Sequence, residues 1–103
     1  MILSIKDRLL LPELLPESGD IIEMLLRRSI TEKIKLTAKE ISDYNIKSEK
    51  PGFITWDENK AVEKDIHMED AEINLIKKGY AEADKAKKIT ERLLDLCLKI
   101  RDL

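Results

Sequence analysis

The sequence predicts an α+β domain, mainly α: a five-helix bundle with one β-hairpin between the third and fourth helices. Three observations carry this. Apolar residues recur at helical spacing along most of the chain. Several helix starts carry an acidic or hydroxyl cap, a glutamate three positions on, and apolar residues bracketing the start. One interior stretch, GFITWDENKAVEKDIHMED (52–70), instead pairs a β-branched, aromatic run with one of period two. The chain of 103 residues is long enough for one domain, spanning 1–103, and short for two.

The first helix is expected from Ile5 to about Leu14, with Ile5, Leu9, Leu10, Leu11, Leu14 and Leu15 as its apolar positions. Pro12 sits awkwardly there, because a mid-helix proline loses one hydrogen bond and crowds the preceding turn, so the helix is either kinked or short. PESGD (16–20) reads as a turn. Asp20 then caps the second helix with Glu23 in the box position, and Ile22, Leu26, Ile30 and Ile34 form its core-facing stripe, with Leu25 alongside. The third helix is short. Thr37 and Glu40 form its capping box, Leu36 and Ile41 its staple, and Asn45 takes a left-handed stop with Ile46 folded back on the last turn.

Between Phe53 and Met68 the pattern predicts a hairpin, FITW against VEKDIHM, that lays Ile54, Trp56, Val62 and Ile66 on the helices. The fourth helix starts after Glu69, with Glu72 in the box and Met68 and Ile73 as staple, and runs to about Ala86. Its stripe is Ile73, Ile76, Tyr80 and Ala83, with Leu75 beside it. Gly79 costs about 1 kcal/mol against alanine there; close approach of a neighbouring helix is one reason for it, plain tolerance of the position the other. The fifth helix, Glu91 to about Arg101, buries Leu93, Leu96, Cys97 and Ile100, while Leu94 and Leu98 widen the stripe enough to ask for contact on a second side.

Composition narrows the function classes. The chain is 43% hydrophobic and 39% charged, yet the charges nearly cancel at −2, as on solvated helix faces. A phosphate-binding surface normally needs a basic excess, so nucleic acid is not the expected partner. No apolar run is long enough for a membrane span, and Lys6, Asp7 and Arg8 interrupt the N-terminal one, so no signal peptide and no membrane partner are expected. The lone Cys97 permits no intrachain disulfide, and a cytoplasmic setting is expected.

Two sets of side chains carry chemistry in principle. Glu63, Asp65 and His67 share one face of the second hairpin strand, the spacing of a metal or general-base cluster. The same face is equally the polar edge that a strand needs to resist edge-to-edge pairing, and no fourth ligand converges on it, so no metal site is assigned. Cys97 lies on an apolar stripe and reads as a small buried hydrophobe, not a nucleophile. No phosphate-loop, CxxC, GxSxG or HExxH motif is present. No catalytic residue and no cofactor site is therefore assigned, and the chain is read as a non-enzyme. Residues 77–101 hold eight Lys or Arg against four acids, and residues 57–72 hold seven acids against two lysines. Solvated faces account for that, or a complementary surface for a protein partner or a second copy.

The segments LLPESGDI, LTAKEISDYN, FITWDENKA and DAEINLIKKG…KKIT, in that order from about Leu9 to Thr90, resemble small uncharacterised phage and prophage proteins. The resemblance implies a viral or prophage setting and supplies no active residues. The expected function is a non-enzymatic protein-binding module: a phage accessory, inhibitor or assembly protein. The alternative is a winged-helix-like DNA-binding regulator, since two helices before residue 46 precede a hairpin placed like a wing. The short helix at 38–44, with Lys39, Glu40, Ser42 and Asp43, is a poor recognition surface.

Overall fold

A computed structural model describes residues 1–103. Its elements are β1 (Ile2–Leu3), α1 (Ile5–Leu14), α2 (Ile21–Ile34), α3 (Ala38–Asp43), β2 (Lys47–Lys50), β3 (Phe53–Thr55), β4 (Lys64–Asp65), α4 (Asp70–Lys85) and α5 (Glu91–Arg101). The protein is α+β and mainly helical, with five helices and two small two-stranded sheets.

Local chemistry explains the helix ends. Ser4 Oγ accepts from Asp7 N–H at 3.1 Å while Asp7 Oδ2 accepts from Ser4 N–H at 3.0 Å. Asp20 with Glu23, and Thr37 with Glu40, form the same reciprocal box. At the far end of α3, Asn45 has φ 52°, its N–H reaches Ser42 O, and Ile46 N–H reaches Ile41 O at 3.0 Å. This is the expected left-handed stop. Lys87 ends α4 in the same way, with φ 56° and Lys88 N–H donating to Ala83 O at 2.9 Å. Helix α1 continues through Pro12 to Leu14.

Helices α1, α2, α4 and α5 pack on one another, with α4 touching the other three. The remaining helix, α3, buries none of its residues, so the helical part of the core comes from four helices and not from the five the sequence suggested, with Leu3, Ile66 and Met68 added from outside the helices. Helix α1 is the most enclosed. Besides Ile5, Leu10, Leu11 and Leu14 it buries Asp7 and Arg8. Gly79 lies where the backbone of the α1 end meets α4: a Cβ built on Gly79 would stand 2.0 Å from Leu14 O. The close approach offered as one reason for this glycine is present, and only a residue without a side chain fits.

Two stripes rotate away from expectation. On α2, Ile30 and Ile34 are buried and Leu26 half-buried, but Ile22 is 70% exposed and Leu25 is exposed too. Steps of four residues advance about 400° around a helix of 3.6 residues per turn, so each step drifts by about 40°. Three such steps carry Ile22 well off the line of Ile34. On α4 the deepest line is Glu72, Leu75, Ile76 and Gly79, while Ile73, Tyr80 and Ala83 are half-buried. A carboxylate and a glycine are silent in a search for apolar spacing, which displaced the expected stripe by one row. On α5, where the spacing alternates three and four, Leu93, Leu96, Cys97 and Ile100 are all buried as expected.

The strand pairing differs from the one predicted. FITW does not pair with VEKDIHM. Strand β3 pairs antiparallel with β2, Lys50 opposite Phe53 and Lys47 opposite Thr55, with an irregularity between them. The connection is Pro51–Gly52, with Gly52 at φ 81°, the pattern of a type II turn. A tight turn brings the preceding residues back at less loop-closure cost than the longer DENKA segment would. Strand β2, KSEK, is wholly polar and exposed, so no alternation marked it. Strand β4 pairs instead with β1, Ile2 opposite Asp65 and Leu3 opposite Lys64, and Ile66 N–H donates to Met1 O at 2.9 Å. Of the four apolar residues expected to cover the helices, Ile66 is buried, Trp56 is half-buried, Ile54 is exposed and Val62 is 65% exposed.

Candidate functional site

The displaced hairpin makes a groove. Gly52, Ile54 and Trp56 alternate along β3 and its continuation and so share a face. Opposite them stand Lys6, Leu9, Leu10 and Glu13 of α1, spaced i, i+3, i+4 and i+7 on one side of that helix. Arg92 of α5 closes one end, donating to both Glu13 carboxylate oxygens at 2.7 and 3.0 Å. The groove encloses ≈ 370 Å³. A second hollow of ≈ 250 Å³ lies beside it, lined by Ile5, Lys6, Trp56, Glu58, Ala61 and Val62 among others. Trp56 and Lys6 border both. The indole therefore stands between two hollows and outside the hydrophobic core.

The segment after the tryptophan is fixed by its own turn. Asp57 N–H donates to Tyr44 O at 2.8 Å, Asn59 N–H to Asp57 Oδ1 at 3.1 Å, and Lys60 and Ala61 N–H to Asp57 O. These bonds tie the chain beyond Trp56 to the end of α3. Half of the residues lining each hollow are apolar; Lys6, Glu13 and Arg92 supply the charged part of the larger one, and Ser4 Oγ at the smaller one is already engaged as the α1 cap. Chemically the arrangement suits the burial of an apolar or aromatic side chain, with Lys6 offering one cation at the rim.

Glu63, Asp65 and His67 are all exposed, and each has a different partner. Glu63 Oε2 accepts from Lys99 Nζ at 2.7 Å, Asp65 Oδ1 lies 3.1 Å from the Met1 amino group, and His67 Nε2 is 3.0 Å from Glu69 Oε1. The three are not brought together, and no group of three His, Cys, Asp or Glu side chains is placed to hold a metal ion anywhere in the chain. Lys99 also donates to the buried Asp7 at 2.6 Å. Burial opposes its charge, but the Asp7 and Glu63 carboxylates outweigh that and raise its pKa above the usual lysine value. Part of the complementarity between the acidic 57–72 segment and the basic 77–101 segment is thus taken up inside one chain.

Two further ionic contacts went unread in the sequence. Arg8, interrupting a run of leucines, is buried and donates from Nε to Ile34 O at 3.0 Å, from one terminal nitrogen to Lys35 O at 2.9 Å, and from both terminal nitrogens to Glu40. Glu72 is buried, accepts from Lys33 Nζ and from Glu69 N–H, and has its pKa lowered: burial raises it, and the Lys33, Glu69 and Ser29 donors more than reverse that. The only signals for these were a charged residue amid leucines and a glutamate three positions past a helix cap. Cys97 is buried, and burial with the nearby Asp84 charge pushes its thiol pKa up. The short α3 has Glu40 held by Arg8.

No helix of the chain is long and apolar enough to cross a membrane. No protein-family model, curated protein or solved structure matches the chain.

Proposed function

We propose that this chain is a non-enzymatic, cytoplasmic protein-binding module of the kind phages carry as accessory, inhibitor or assembly proteins, and that the groove between α1 and the hairpin is its contact surface. The observation that carries this reading is the position of the only tryptophan, half-buried between two hollows and outside the core, with Phe53 and Ile54 exposed beside it. Tryptophan is the residue most enriched among interface anchors, and clustered exposed apolar side chains around it mark interaction surfaces. The partner contributes an apolar or aromatic side chain to the groove.

The test compares three forms as bait in lysate of infected cells: the natural chain, Trp56→Ala, and Ile22→Ser as a control on the exposed face of α2, outside both hollows. The expected result is a stoichiometric protein captured by the natural chain and by Ile22→Ser, weakened at least tenfold by Trp56→Ala while its circular dichroism and melting temperature hold. A partner that binds Trp56→Ala as tightly as the natural chain overturns the assignment of this groove.

A further inference from the structure

We infer that the outer face of α5 pairs antiparallel with the same face of a second copy of this chain. The buried side of α5 is fully used by the core, yet Leu94 is 45% and Leu98 37% exposed on the other side. They belong to a row, Glu91, Leu94, Leu98 and Arg101, whose spacing alternates three, four and three, that of an interhelical seam. Charge complementarity fixes the occupant. A two-fold axis beside residue 96 places Leu94 against Leu98 of the second copy, two residues either side of it. The same axis places Glu91 against Arg101 of the second copy, five residues either side. Both leucine contacts and both ion pairs then arise twice from one row, as an isologous interface requires. Antiparallel packing also sets the positive end of each helix dipole beside the negative end of the other.

The row is available for this. Glu91 has no ion-pair partner within the chain, and Arg101 has only Asp102, its immediate neighbour, at 3.4 Å with both side chains well exposed. Of the other charged residues of α5, Arg92 is paired with Glu13 and Lys99 with Asp7 and Glu63, while Asp95 is exposed along the edge of the row and has no ion-pair partner in the chain. Two helices of eleven residues bury less than a standard interface, so the dimer belongs to the weak, transient class. The parallel alternative sets Glu91 against Glu91 and Arg101 against Arg101, and is disfavoured by like charge.

The experiment is sedimentation equilibrium of the full chain up to high micromolar concentration, alone and as variants. The natural chain is expected to show a reversible monomer–dimer equilibrium. Glu91→Lys and Arg101→Glu should each weaken it tenfold or more, because each creates two like-charge contacts. An equimolar mixture of the two single variants should restore dimer, since every cross-pair is then Lys–Glu or Arg–Glu, and Leu94→Asp should abolish it. Circular dichroism of each variant checks the fold, and the mixture recovers association even where a single change costs some helix. A natural chain that stays monomeric throughout, or a dimer indifferent to both charge reversals, overturns the inference.

Discussion

Arg8 and Glu40, from α1 and α3, are joined through both terminal guanidinium nitrogens, while the same arginine donates to the last carbonyl oxygens at the α2 end, Ile34 O and Lys35 O. One buried cation thereby closes a helix C-terminus, where positive charge is favoured, and holds the cap glutamate of the next helix. The short α3, which buries nothing of its own, is moored by this contact.

A pH dependence follows. The Arg8 hydrogen bonds, opposed by burial, lower the Glu40 pKa from 4.5 to about 2. A folded pKa below the unfolded one stabilises at pH above the unfolded value, and that stability is lost as pH falls through the folded one. The natural chain should lose about 2 kcal/mol from this group between pH 4.5 and 2, after allowing for solvent screening. Glu40→Gln should be weaker by about that amount at pH 7 and lack this part of the acid slope. Urea denaturation at half-unit pH steps checks both.

Gly79→Ala reverses the usual rule for helix interiors. Alanine is the better helix former by about 1 kcal/mol, yet its methyl group would meet Leu14 O at 2.0 Å, a backbone atom that cannot swing aside. Overpacking of this kind costs roughly 1–3 kcal/mol or more, so the variant should be less stable by about 2 kcal/mol. An equal or higher melting temperature would show that α1 and α4 do not meet there.

Lys87→Gly is expected to stabilise. Lys87 ends α4 at φ 56°, a conformation that costs a residue bearing Cβ roughly 1–2 kcal/mol and glycine little. The greater freedom of glycine in the unfolded chain offsets part of this, leaving a gain of about 0.5–1 kcal/mol, or several degrees in melting temperature. A matched Lys88→Gly variant, one residue on, should show no such gain in calorimetry.

The helix framework was legible because its signals are local. Asp20, Thr37 and Asn45 act within three or four residues of where they stand, and their hydrogen bonds form as the spacing demands. The sheets were not, because strand partners are chosen by closure and not by pattern alone. KSEK offered no apolar alternation, and two residues, Ile2 and Leu3, are too few to show a period. Trp56 stood out by composition, but its depth depended on which strand β3 paired with, and the pairing was misread. Its groove was hidden further, since Lys6, Leu9 and Glu13 look like ordinary positions on the outside of a helix until the hairpin is set across them.

The pairing of β1 with β4 has a bearing on synthesis. Leu3 is fully buried, but the strand paired with its own lies some sixty residues downstream, and the leucines of α1 are covered by α4 and α5, which come later still, so a nascent chain carries both uncovered until those segments leave the ribosome. Until then the first helix is a hydrophobic segment without the helices that cover it. That makes residues 1–15 a stretch where a chaperone would engage and where stalled products would aggregate.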